Sequence, residues 1–305
     1  MNSNTTYCST FNLDFSETVA YNNPLFPAYV RQGILSTYPD YSAVSHWHKD
    51  LEFIVIKTGS MTYNVNGELI DLPEGSGIMV NSRQLHYGFS PDHSECEFIC
   101  ILLSPELLSG NEWFYQNFIE SVTENSYYPY LYLSGEGWEH SVLEKLEQLY
   151  SSFTVQQKQE PSYFTLIDKF LSIMKLLHEN LDVKNHETVK PSNDLTSLKS
   201  MITYIEEHYA QHITLENIAL SGACCKSRCS LLFKKYLHET PMTYTAKLRL
   251  RKSLSALLNS DKSITEIAYE HGFCGASYYC ETFQKYYGTS PLKYRKSQSE
   301  QEFIP

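Results

Sequence analysis

No apolar run in this 305-residue sequence approaches the length needed to span a bilayer, which argues against a transmembrane helix and a membrane partner. The opening Met1-Asn-Ser-Asn-Thr-Thr6 lacks the basic start and apolar stretch of a secretory signal, so a cytoplasmic chain is expected. Paired Cys-x2-Cys spacings are also missing. The eight cysteines include a lone Cys8 and the adjacent Cys224 and Cys225, which is no framework for a disulfide-stapled secreted domain. Cys224, Cys225, Cys229, Cys274 and Cys280 fall close together and raise zinc or redox chemistry, but without zinc spacing they read as small residues on helices. A basic surplus is lacking too. The net charge is −11, the wrong sign for a chain that binds nucleic acid along its whole length.

What is present changes that reading. Residues 1–194 carry 10 Lys and Arg against 25 Asp and Glu, a net −15, whereas residues 195–305 carry 14 against 10, a net +4. The basic part also holds an internal repeat. Phe233-Lys-Lys-Tyr-Leu-His-Glu-Thr-Pro241 returns 50 residues later as Phe283-Gln-Lys-Tyr-Tyr-Gly-Thr-Ser-Pro291. Ile218-Ala219 is echoed by Ile267-Ala268, Gly222 by Gly272 and Tyr244 by Tyr294. Such a period signals two copies of one supersecondary unit. Each copy reads as two short helices joined by a tight turn, the pattern that places a helix in a DNA groove. Double-stranded DNA is therefore the expected partner, and reading it, rather than catalysis, the expected work. The surplus of +4 is small, so one copy should show modest salt-dependent affinity and a homodimer should double it.

Hydrophobic content of 42% supports ordinary packed cores, and the length allows two domains with a helical connector. Residues 1–30 read as an N-terminal arm. From Gln32 to Leu103 short β-branched and aromatic runs (51–56, 61–65, 68–72, 77–80 and 97–103) alternate with turn residues, and Asn66-Gly67 is a hairpin signal. This pattern predicts a small barrel or sandwich. Residues 138–157 and 162–181 then show helical periodicity. In the second segment Leu166, Phe170, Ile173 and Leu177 form one stripe, and Ile167, Met174 and Leu181 a parallel one. One stripe covers the barrel and one is left over, so Leu166, Phe170, Ile173 and Leu177 are taken as a dimerisation surface, with burial of both stripes inside the chain as the alternative. Residues 182–194 are polar and aperiodic and read as a linker.

The remainder is predicted all-helical. Thr214 caps a scaffold helix through Leu220, and a recognition helix runs from about Cys225 to Leu237. Thr240-Pro241 opens a long helix to Leu258, Ser263-Ile-Thr-Glu266 is a capping box, a second recognition helix runs from Ala276 to Tyr287, and Ser290-Pro291 opens the last helix. Phe233, Phe283, Ile218 and Ile267 are assigned to the core.

The run Ser263-Ile-Thr-Glu-Ile-Ala268, Gly272-Phe273, Ser277-Tyr278-Tyr279, Phe283, Gly288-Thr-Ser-Pro291 and Tyr294-Arg295 resembles the AraC/XylS family of bacterial transcription regulators over residues 195–296. The resemblance implies two helix-turn-helix units whose recognition helices enter successive major grooves. Carried over by position, Lys226, Ser227, Arg228, Ser230 and Leu231 of the first helix and Ala276, Ser277, Tyr278, Cys280 and Glu281 of the second would face DNA. Lys234, Lys235 and Lys285 would join Lys226 and Arg228 on phosphates. Ala276 could touch a thymine methyl and Glu281 could accept from cytosine. Leu231 and Glu281 stand where the family often has Arg, and Cys225 replaces its usual Ser cap.

The N-terminal half resembles the cupin-type sensor domain found in this family, on His46-Trp-His48-Lys-Asp-Leu-Glu52, Gly59, Pro73-Glu-Gly75 and His86. In metallocupins the corresponding His46, His48, Glu52 and His86 would converge on a divalent metal. In sensor cupins such residues also serve as the walls of a metal-free pocket, so no cofactor is assigned and a metal stays open. His46, Trp47, His48, Glu52, Tyr63 and His86 are the expected ligand-binding residues, the aromatic ones suiting a sugar or an aromatic acid.

The resulting expectation is an α+β multidomain chain. Its parts are the arm (1–30), a cupin-like jelly-roll barrel with packed helices (31–110), a helical dimerisation region (111–181), the linker (182–194) and an all-α double helix-turn-helix domain (195–298). The resemblance implies a homodimeric regulator, an activator working with RNA polymerase, answering to a small-molecule effector and having no catalytic residues. The alternatives are a constitutive dimeric DNA binder, a metal-binding cupin with catalytic activity, and a thiol-responsive regulator.

Overall fold

The computed structural model describes residues 10–11, 17–125, 127–154, 163–182 and 193–301. Most of the arm before Glu17, Cys8, the end of the helix expected to reach residue 157, and most of the linker lie outside the described residues. The chain divides into two compact units, one built mainly from residues 16–190 and the other from 191–305.

In the first unit, β1 (Thr10–Phe11) pairs with β2 (Glu17–Thr18) ahead of the main sheet. That sheet comprises β3 (Ala28–Ile34), β4 (Leu51–Val65), β5 (Glu68–Pro73), β6 (Gly77–Val80), β7 (His86–Phe89), β8 (Cys96–Leu103) and β9 (Tyr130–Leu133). Its order is β3-β8-β4-β6-β9, with β5 and β7 also paired to β4, all antiparallel. The expected hairpin at Asn66-Gly67 is present. Both residues have left-handed φ (52° and 89°), as a two-residue primed turn requires, and Val65 pairs with Glu68.

Two of the expected strands are one. Residues 51–56 and 61–65 belong to the single strand β4, whose register shifts between Ile56 and Thr58. The first half pairs with β6 and β8 and the second with β5 and β7, so β4 crosses from one side of the barrel to the other. The barrel also exceeds the expected 31–110. It begins at Ala28 and takes β9 from the stretch expected to be helical, because Tyr130–Leu133 finds a free edge on β6.

Apart from Glu52, the run Leu51–Ile56 is apolar without alternation because both faces of the sheet are covered. Leu51, Phe53 and Val55 pack outward into a core with α3 (Gly137–Thr154) and α4 (Tyr163–Asn180), while Ile54 and Ile56 pack inward with Tyr63, Val65 and Phe98. Before these two, α1 (Glu112–Phe114) and α2 (Glu120–Thr123) are joined by a π-helical turn over Tyr115–Ile119. The outer core corrects the dimer stripe. Leu166, Phe170, Ile173 and Leu177 are all fully buried in the chain's own core, so they hold α4 against its own domain. Met174 and Leu181 of the parallel stripe are buried there too.

The second unit contains α5 (Asn193–His208), α6 (Leu215–Ser221), α7 (Lys226–Leu237), α8 (Pro241–Asn259), α9 (Ile264–Glu270), α10 (Ala276–Tyr287) and α11 (Pro291–Gln301). The start of α5 takes Asn193 and Asp194 from the expected linker. Thr214 and Ser263 each form a reciprocal capping box with the third residue of the helix, and Thr240 accepts from the Thr243 N–H before Pro241. The two copies are offset by 49 residues across α6 and α9. The Cys224 N–H donates to Ala219 O as the Phe273 N–H donates to Ala268 O, and the left-handed residue of the turn is Ala223 (φ 52°) in one copy and Gly272 (φ 78°) in the other. The counterpart of Gly272 is thus Ala223, not Gly222. A Cβ on Gly222 would lie 2.5 Å from Met201 Cγ, so that glycine serves a close approach to α5.

Candidate functional site

The barrel interior brings together residues far apart in sequence. His46 and His48 lie on the extended segment before β4, Glu52 on β4 and His86 on β7. A two-way backbone bridge ties the segment to β7: the His46 N–H donates to His86 O at 3.1 Å, and the His86 N–H to His46 O at 2.8 Å. All four side chains are buried, and one ligand atom from each lies within 4.8 Å of the others. The Nδ1–H groups are committed to backbone carbonyls, His46 to Val44 (2.7 Å), His48 to Asp50 (3.1 Å) and His86 to Gln84 (2.8 Å). This fixes the ring orientations and turns every Nε2 inward.

The Nε2 atoms meet carboxyl oxygens. Those of His48 and His86 lie 3.3 and 3.4 Å from Glu52 Oε2, and that of His46 lies 3.2 Å from Glu17 Oε2. The Tyr63 hydroxyl donates to Glu52 Oε1. Burial together with the Glu52 charge holds that phenol neutral, well above its ordinary pKa. Burial opposes ionisation of Glu52, but the His86 charge and the His48 and His86 hydrogen bonds outweigh it and hold the carboxylate well below its usual range. Burial also opposes charge on His48, yet its hydrogen bond to Glu52 lifts its pKa above the ordinary value. Burial, aided by the charge of His86, pushes His46 down to about 4, so this ring is neutral near pH 7. Donors held about 2.1 Å from a first-row divalent ion stand about 3 to 4 Å apart, which the cluster's spacing accommodates. Three imidazoles and a buried carboxylate therefore fit such an ion by donor type and by spacing.

Among the expected ligand-binding residues, the structure gathers His46, His48, Glu52, Tyr63 and His86. Trp47 is half-buried between the two histidines and offers its carbonyl to the Glu17 N–H at 2.8 Å. Several residues of this site were not anticipated. Glu17 and Tyr21 come from the presumed arm, and the Tyr21 hydroxyl donates to Asp50 at 3.1 Å. Ala28 and Val30 of β3 pack in the outer core, so Tyr29 and Arg31 alternate to the inner face, as do Phe98 and Cys100 of β8. The Arg31 charge acts on Tyr29, Tyr38 and Cys100, while burial and the Glu52 charge raise the Cys100 thiol well above its usual pKa. Only strand alternation could have pointed to Arg31, and nothing local pointed to Glu17.

In the second unit all the expected DNA-facing side chains are accessible. On α7, Cys229, Leu232, Phe233 and Tyr236 are buried, leaving Lys226, Ser227, Arg228, Leu231, Lys234 and Lys235 exposed and Ser230 half-buried. On α10, Tyr279, Phe283 and Tyr286 are buried, Ser277, Tyr278, Glu281 and Lys285 exposed, and Ala276 and Cys280 half-buried. Three cations of α7 have acidic neighbours: Lys226 pairs with Glu216 at 2.9 Å, and Arg228 and Lys235 share Asp194. The seven described cysteines are free thiols, and none joins a metal-ligating group among the described residues. No helix among the described residues is long and apolar enough to cross a membrane.

Comparison with known proteins agrees with both units. Residues 30–126 match the family model of the AraC-like ligand binding domain, and residues 223–297 match a helix-turn-helix domain. The HTH-type transcriptional regulator YdeC of Bacillus subtilis is 31% identical over 258 residues, covering 83% of this chain and 86% of its own. The melibiose operon regulatory protein of Escherichia coli K12 is 24% identical over the full length of both chains, and the HTH-type transcriptional activator RhaS of E. coli SMS-3-5 is 23% identical over 82% of this chain and 87% of its own. A barrel with a buried polar cluster, a duplicated helix-turn-helix unit and these relatives lead to one conclusion: the chain belongs to the AraC family of DNA-binding transcription regulators and is not an enzyme.

Proposed function

We propose that this regulator is switched by a small organic acid held inside its N-terminal barrel. The observation that carries the reading is the make-up of the inner face, where the His46, His48, Glu52 and His86 cluster shares the barrel with Arg31, Tyr29, Tyr38 and Tyr63. A guanidinium fork suits a carboxylate, and phenol faces suit an aromatic ring. Of the two effector classes open on sequence, sugar and aromatic acid, this favours the acid. His46, His48, Glu52 and His86 would also hold a divalent transition metal, which when bound supplies a Lewis-acidic anchor for an oxyanion. The chain's own part is to orient: the Val44, Asp50 and Gln84 carbonyls hold the imidazoles, and Tyr63 holds Glu52.

The output is read by α7 and α10. Lys226, Arg228, Lys234 and Lys285 would position the protein on phosphates. Ser227, Ser230, Leu231, Ala276, Ser277, Tyr278, Cys280 and Glu281 would meet base edges. The action is that of a cytoplasmic activator working with RNA polymerase, supported by a relative named as an activator. It is carried out by a homodimer, supported by exposed apolar residues on the outer face of α4, Phe164 (92%) and Leu171 (41%). The testing experiment is thermal melting of the full chain with benzoate-type acids and with sugars, in the wild type and Arg31→Ala. Acid-specific stabilisation that is lost in Arg31→Ala is expected. Stabilisation by sugars that is indifferent to Arg31 would overturn the acid reading.

A further inference from the structure

We propose that Asp194 restrains the first recognition helix, offsetting two of its cations and so setting how strongly it holds DNA phosphates. The inference rests on the reading that α7 meets DNA with Arg228 and Lys235 towards the phosphates. These two cations lie seven positions apart on α7, two turns or about 10 Å along one edge of the helix. Asp194 reaches both. Its Oδ1 accepts from the Arg228 guanidinium, and its Oδ2 stands 3.5 Å from Lys235 Nζ. Lys235 also donates to the hydroxyl of the buried Tyr236 at 3.1 Å, which holds its ammonium close to the helix. Beside this edge Ser227, Leu231 and Lys234 follow one another at four and three positions, forming an exposed stripe. When that stripe enters a groove, the backbone of the DNA comes up against Arg228 and Lys235.

The placement of Asp194 suits this work. It is the second residue of α5, where the helix dipole favours an acidic side chain. Its side chain is only 22% exposed, so its hold on the two cations is less screened than that of a fully exposed pair. Glu216 makes a weaker counterpart, since it is well exposed and pairs with Lys226 alone. Arg228, Lys235 and Asp194 together carry one positive charge instead of two. The surplus of +4 over residues 195–305 falls to +3 once Asp194 is included, so one carboxylate at this edge offsets a large share of it. A phosphate that approaches must share Arg228 and Lys235 with Asp194. Non-specific binding is almost wholly phosphate attraction, so it is the binding mode that Asp194 holds down.

The test uses the full-length protein and a non-specific DNA duplex, with binding followed by fluorescence anisotropy across salt concentrations and a thermal melt of every variant. Asp194→Asn should bind about 5- to 10-fold more tightly than the wild type near 0.1 M salt, with a salt slope steeper by about one phosphate equivalent, and the gain should fade towards 1 M salt. Asp194→Ser, another residue suited to a helix start, should reproduce the gain and guards against a folding defect peculiar to Asn. Glu207→Gln removes the same charge ~20 Å further along α5, beyond the screening length of about 10 Å, and should change affinity by less than about 2-fold. Arg228→Ala combined with Lys235→Ala should weaken binding and flatten the slope. Unchanged affinity in the folded Asp194 variants would overturn the restraint, and weaker binding would overturn it by making Asp194 a support for Arg228. An equal gain in Glu207→Gln would overturn it by reducing the effect to net charge. Wild-type binding by the Arg228→Ala, Lys235→Ala variant would instead overturn the phosphate reading of this edge, and the restraint with it.

Discussion

In the first helix-turn-helix unit Phe233 packs edge-on against Tyr244, ring centroids 5.8 Å apart; in the second, Phe283 meets Tyr294 in the same way at 5.5 Å. Ile218-Ala219 and Ile267-Ala268 are buried alike. The outer surfaces differ. The first recognition helix exposes Lys226, Arg228, Lys234 and Lys235, whereas the second exposes one cation, Lys285, beside Ser277, Tyr278 and Glu281. The turns differ as well. Ala223 and His238 hold left-handed φ in the first unit, where Gly272 and Gly288 stand in the second, and the second turn has one more residue before its recognition helix. Duplicated units thus keep what packing demands, while the surface is free to take up separate work.

The largest expected effect tests whether the cores are equivalent. Phe233→Ala and Phe283→Ala, both fully buried, should each cost about 3–5 kcal/mol of unfolding free energy in urea titrations. A loss confined to one of them would break the comparison. Next comes the division of labour on DNA. Combined Lys226→Ala, Arg228→Ala and Lys234→Ala should flatten the salt dependence of binding to non-specific duplex by roughly three phosphate equivalents, against about one for Lys285→Ala, read by fluorescence anisotropy at several salt concentrations. Equal slopes would mean that both helices share the backbone contacts.

The turns offer a smaller and sharper contrast. Gly272→Ala should destabilise by at least ~1–2 kcal/mol, because an L-residue is strained at φ 78° and its Cβ would lie 2.5 Å from Tyr209 O. Ala223→Gly should stabilise by up to ~1 kcal/mol, and thermal melts of both variants check the opposite signs. A further effect concerns Glu206 on α5, the helix packed on the first unit. Burial outweighs the nearby Lys252 and raises the Glu206 pKa above its ordinary value. The fold therefore favours the protonated carboxyl, and stability declines as pH rises through the window between the ordinary and the raised value. Glu206→Gln should stabilise by ~1 kcal/mol above that window and be neutral below it, in melts at pH 8 and pH 4. The smallest expected change is Cys225→Ser. Cys225 caps α7 without a side-chain hydrogen bond, so a serine there should add ~0.5–1 kcal/mol to the melt.

Legibility in the sequence followed the range of the interactions. Caps and helix ends in the second unit were readable because Thr214, Thr240 and Ser263 bond backbone groups within three residues. His46, His48 and Glu52 were readable because they lie within seven positions of one another, and His86 through its resemblance to a known pattern. The pairing of Ala223 with Gly272 was hidden because the eye aligns glycine with glycine, while the backbone aligns hydrogen bonds. The union of two runs into β4, the recruitment of Tyr130–Leu133 and the burial of the α4 stripe depended on partners far along the chain.

By itself, then, the sequence determined the duplicated helical units, the hairpin turn, the charge division and the family, since each rests on local periodicity, capping chemistry or motif spacing. Only the tertiary structure decided that Glu17 stands against His46, that Arg31 shares the inner face with Glu52 and that Leu166, Phe170, Ile173 and Leu177 face inward. Those outcomes follow from which surfaces meet when the sheet closes. That meeting is set by the burial of distant apolar faces against one another, and no stretch of sequence specifies it alone.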